Sequence, residues 1–161
     1  MIAPWQRLLN EKLYLARQLL DEADKATDRA YAQTESRIQG ALALLIQTRQ
    51  LYLVLIAHIY QHKKVEEVAG LDALRNLVGE ENHEYRVLKA AEEVGDHWWT
   101  RLRRLERETL TPRPEKQKPV DDNIIAMTAA VGEDRTPEAL RTLIDTVRHD
   151  VNTLCERHSE W

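Results

Sequence analysis

Apolar residues recur at spacings of three and four along most of this chain, the signature of helices that each turn one face inward. Trp5, Leu8, Leu9, Ala16, Leu19, Leu20, Ala23 and Ala26 form one such stripe, which predicts a long helix over about residues 4–30. Pro4 suits its first turn, where a missing N–H costs nothing. Ile38, Leu42, Leu45, Arg49, Tyr52, Ile56 and Ile59 mark a second helix over about 32–62. Both flanks of that stripe are apolar too, from Leu44 and Ile46 to Leu51, Leu53, Val54 and Leu55. A helix apolar nearly all round belongs in the middle of its neighbours.

Gly70 and Gly79 bracket a short helix over Asp72–Val78, with Leu74, Leu77 and Val78 inward. Another is expected over about 81–94, with Val87, Leu88, Ala91 and Val94 inward, ending at Gly95. Asp96 can cap a helix over about 97–110 whose shared face holds Trp98, Leu102 and Leu105. Pro112, Pro114 and Pro119 then exclude helix and favour extended chain. After them, Ile124–Met127 is expected to strap across the bundle. The last helix has the clearest start: Thr136 as N-cap, Pro137 at the first helical position, and Glu138 facing the positive end of the dipole. Its stripe is Leu140, Leu143, Ile144, Val147, Val151, Leu154 and Cys155. The expectation is one all-α domain over 1–161: an up-and-down-like bundle of four to five longer helices plus a short one, with a Pro-rich loop before the last.

Composition narrows the function classes. The formal charge of −4 excludes a bulk electrostatic binder of nucleic acid or anionic lipid. The single cysteine cannot form an internal disulfide, which fits a reducing compartment. The N-terminal stretch has no apolar run of signal-peptide type, and Leu51–Tyr60 is at most half a membrane span. The expected location is the cytoplasm, with no membrane association.

Several segments resemble a known family. They are the string Asn10–Arg17, the Pro112–Pro114 segment followed by Ile124–Ala126, and the end from Asp134–Leu140 through His158–Trp161. They are similar to an uncharacterised family of small gammaproteobacterial proteins known only as a domain of unknown function, over nearly the whole chain. The resemblance implies a cytoplasmic bacterial protein and supplies no activity to transfer.

Candidate chemistry is sparse. His58, His62 and Glu66 lie four apart, so two imidazoles and a carboxylate could converge on a divalent ion. Ile59 stands where a zinc hydrolase of the HExxH type needs its Glu. Glu80 and His83 have the spacing of a di-iron bundle, but no second such pair exists. Arg75-Asn76 with His83 comes nearest to the motif of HEPN-type ribonuclease bundles, with too many intervening residues. Cys155 and His158 could pair as thiolate and imidazole, though Cys155 falls on the buried stripe. No residue is assigned a catalytic role, and no cofactor is expected.

The richest patch is 98–118, where seven cations face three acids, leaving +4 locally. Trp98, Trp99, Arg101, Arg103, Arg104 and Arg107 are the types enriched at binding hot spots. Neighbours on a helix point about 100° apart, so one of the two tryptophans is expected to face a partner, the bundle edge or the Pro-rich loop. The bland alternative is a solvated helix face whose arginines pair locally, as Arg104 could with Glu108. The leading expectation is a non-enzymatic protein-interaction module that can self-associate. A metal-dependent or HEPN-like enzyme and nucleic-acid binding through 98–118 are the alternatives.

Overall fold

The computed structural model describes residues 2–25, 31–61, 68–112 and 132–159. All regular structure among these residues is helical, as the periodicity requires. In chain order the helices are α1 (Ala3–Asp24), α2 (Tyr31–Ile59), α3 (Leu71–Val78), α4 (His83–Glu93), α5 (Trp98–Thr109) and α6 (Pro137–Arg157). Five longer helices and one short one agree with the expected bundle. The strap at Ile124–Met127 and most of the Pro-rich segment lie outside the described residues.

The starts of two helices follow from their caps. Thr136 accepts a hydrogen bond from the Ala139 N–H at 3.3 Å, with Pro137 behind it. Asp134 in turn accepts from the Thr136 N–H, and that bond holds its carboxyl below the usual range. At α4, Asn82 accepts from the Tyr85 N–H at 3.1 Å. The expected cap at Asp96 is corrected: His97 is the N-cap of α5, and its Nδ1 accepts from the Trp99 N–H.

α2 is the hub. It packs along α1 and also meets α3, α5 and α6. Leu42, Leu45, Leu55, Ile56 and Ala57 are fully enclosed, with Leu9, Leu13, Ala16 and Leu20 of α1 and Leu140, Ile144 and Val147 of α6. Length and composition alone would let α2 cross a membrane; here 56% of its most apolar 18-residue window is buried inside the bundle. Arginine–carboxylate pairs tie α6 to α1 at the rim, from Arg141 to Asp21 and Asp24 and from Arg17 to Asp145.

The inward set of α4 differs from the expectation. Val87 and Val94 are exposed at 43% and 57%, while Glu84, Tyr85, Leu88 and Ala91 are buried. Leu88 and Ala91 face inward as expected, and the rest of the helix's inward face is made by Glu84 and Tyr85 instead of the two valines. Its register is set by the Asn82 cap and by ion pairs from Glu84 to α6 rather than by its valines.

Candidate functional site

The Trp/Arg segment forms α5, whose first turn lies against α2, α4 and α6. The expectation that one tryptophan faces outward is corrected, since Trp98 is 2% and Trp99 0% exposed. The helix start is wrapped on more than one side, so two side chains about 100° apart both find cover. Trp98 meets Tyr52 edge-on at 5.1 Å, and its Nε1 donates to Asp150 on α6. Burial beside Asp150 pushes the Tyr52 phenol well up. Trp99 lies under the Arg49 guanidinium, whose carbon is 4.1 Å from the ring centroid. Thr100 donates to the Ala91 carbonyl at 2.6 Å, fixing α5 to the end of α4. Trp98 and Trp99 therefore belong to the core.

The arginines of α5 are also engaged. Arg101 and Arg104 both reach Glu133, whose side chain is 15% exposed. Arg103 reaches Glu92 at 3.3 Å. Arg104 does not pair with Glu108; that carboxylate accepts from the Glu133 N–H at 2.9 Å. Gly132 makes this approach possible, because a Cβ there would meet the Glu108 carboxylate at 2.8 Å. Arg107 is exposed. The segment is thus an internal clamp that draws the start of the last helical region against α5.

The other candidates do not converge. His58 sits at the end of α2, 6.2 Å from the Trp5 ring, and His62 and Glu66 lie outside the described residues. Among the described residues no group of three or more His, Cys, Asp or Glu is placed to hold a metal ion. Arg75 and His83 lie on different helices, and Glu80 faces Arg75 at 3.8 Å. Cys155 is 7% exposed and burial pushes its thiol up, the reverse of an activated nucleophile.

One constellation went unseen in the sequence. Glu84, with its side chain 4% exposed, holds Arg157 at 3.1 Å and His158 at 3.3 Å. His158 also meets Tyr60 edge-on at 5.5 Å. The group joins α4 to the end of α6, with partners 73 and 74 residues apart, and no local spacing announces that. Beside it a cleft of about 770 Å³ lies between the start of α1 and the ends of α2 and α6, lined by His58, Tyr60, Gln61, Cys155 and His158 among others. Gln61 closes α2 with φ of 60°, a left-handed position that favours glycine.

These contacts assign most of the eye-catching side chains to holding the bundle together. A family match runs over residues 1–161, to the Family of unknown function (DUF6586). The chain belongs to the DUF6586 family. No curated protein and no solved structure matches it. For this DUF6586 chain the surface left over after these internal contacts is what remains to carry function.

Proposed function

We propose that this protein is a non-enzymatic interaction module that self-associates through the outer side of the α1–α2 pair, in the cytoplasm. One observation carries the reading: the most apolar helix of the bundle is incompletely covered. Only 56% of the α2 window is buried, and Leu44 and Leu51, seven apart, are only partly covered on it. On α1, Leu8, Leu15 and Leu19 lie off the buried line of Leu9, Leu13, Ala16 and Leu20. Leu15 is 41% exposed. Leu19 is seated beside Gly40 of α2, where an added Cβ would stand 3.0 Å from it, so the two leucine rows are neighbours.

The occupant that fits is a second copy. The α1 row is flanked by Glu11 and Lys12, of opposite charge, and neither pairs with another described residue. An isologous contact repeats one patch on both sides, so each charge can meet its opposite from the second copy. Light scattering on a sizing column tests this. The wild type is expected at twice the 18.8 kDa chain mass, and Leu15→Glu at the chain mass itself. A wild type that stays monomeric across the soluble range removes self-association.

A further inference from the structure

On the other side of α2, away from the leucine rows, Arg49 is enclosed more than an arginine of the surface would be. Its side chain is 21% exposed, and burial lowers its pKa. A buried guanidinium needs an acceptor for each of its donors and a compensating charge nearby. The chain meets these needs only in part. The nearest carboxylate oxygen, on Glu106, is 3.8 Å away, beyond hydrogen-bond length, and that side chain is 42% exposed. The Arg49 Nε is buried with no partner. Trp99, fully enclosed beneath the guanidinium, also leaves its Nε1 without an acceptor.

Both side chains line one cavity of about 350 Å³, together with Gln47, Gln50, Glu106 and Gly70. Gly70 is the N-cap of α3, and no side chain caps that helix. The first N–H groups of a helix have no partner within it and carry the positive end of its dipole. The cavity wall therefore combines a half-compensated guanidinium and a second buried donor with the N-cap of α3, whose first turn carries one acid, Asp72. The Arg49 Nε and the Trp99 Nε1 both lack a hydrogen-bond acceptor, which an oxyanion would supply.

We propose that this cavity binds a small oxyanion, the carboxylate or phosphate of a small acidic molecule, held by Arg49 and the start of α3. The volume lies near the lower end for ligand pockets, which limits the ligand to a few heavy atoms around the acid group. Glu106 is the opposing group: its carboxylate shares the cavity and competes with the anion for Arg49. The site is separate from the leucine rows and does not depend on self-association.

The test is a thermal-shift and calorimetric titration of the full chain with inorganic phosphate and with acetate, against sodium chloride at equal ionic strength. At least one of the two oxyanions raises the melting temperature above the chloride control and gives a saturable heat. Arg49→Gln weakens that binding by about tenfold or more. Glu106→Gln keeps the fold and tightens binding by about 3- to 10-fold, since the competing charge is gone. A shift no larger than chloride's for both anions overturns the proposal. So does wild-type affinity in Arg49→Gln, or unchanged or weaker binding in Glu106→Gln.

Discussion

The start of α5 and the outer side of the α1–α2 pair use their side chains in opposite ways. α5 carries adjacent tryptophans and four arginines, the composition of a binding hot spot. The bundle consumes nearly all of it: both indoles are buried, and Arg101, Arg103 and Arg104 reach Glu133 or Glu92. The α1–α2 side carries plain leucines and leaves part of them in solvent. Residue type alone therefore misplaces the surface. What separates the two regions is whether the fold already supplies partners, and that depends on residues distant in the chain, such as Asp150 for Trp98 and Glu133 for Arg104.

The comparison breaks most visibly at Trp99. Trp99→Ala removes a fully enclosed indole and is expected to cost about 3–5 kcal/mol in chemical unfolding. A loss under about 1 kcal/mol would mean that α5 is not seated as described. Next comes the clamp. Glu133→Gln leaves Arg101 and Arg104 without their shared carboxylate and is expected to cost about 1 kcal/mol, because all three groups are partly exposed. The wild type should lose part of that difference in high salt; a salt-independent difference would show the clamp is not electrostatic.

At the end of α2, Gln61→Gly should gain up to about 1 kcal/mol, since φ of 60° strains any residue with a Cβ. A destabilised variant would mean that the Gln61 side chain contributes more than its backbone costs. The smallest effect is a pH dependence. Burial lowers the His97 pKa from its ordinary 6.5. The unfolded chain then binds more protons than the native one just below that value, so stability falls as pH drops through about 6.5 and levels off below the native pKa. His97→Asn keeps a capping acceptor and should flatten that fall. An unaltered pH profile in the variant would assign the dependence to other groups.

Much of the fold was legible in the sequence because it rests on local signals. Thr136–Pro137 marks the start of α6 by cap chemistry alone, and the spacing of Leu42, Leu45, Tyr52 and Ile56 gives the inner face of α2. The register of α4 was not legible. Val87 and Val94 look like core residues by type, yet Glu84 turns inward because Arg157 and His158 await it from α6. The tryptophan pair failed for a related reason: helical geometry fixes the angle between neighbours but not how far the bundle wraps around the helix. Arg49 was legible only as a cation standing in an apolar stripe. Its stacking on Trp99 and the cavity beside it need the tertiary fold.

Sedimentation equilibrium on three chains, the wild type, Leu15→Glu and Arg107→Glu, compares the two regions directly. If the α1–α2 side is the contact and α5 serves the interior, wild type and Arg107→Glu sediment at twice 18.8 kDa and Leu15→Glu at the single-chain mass. A dimer lost on Arg107→Glu but kept on Leu15→Glu would contradict the account and return function to α5.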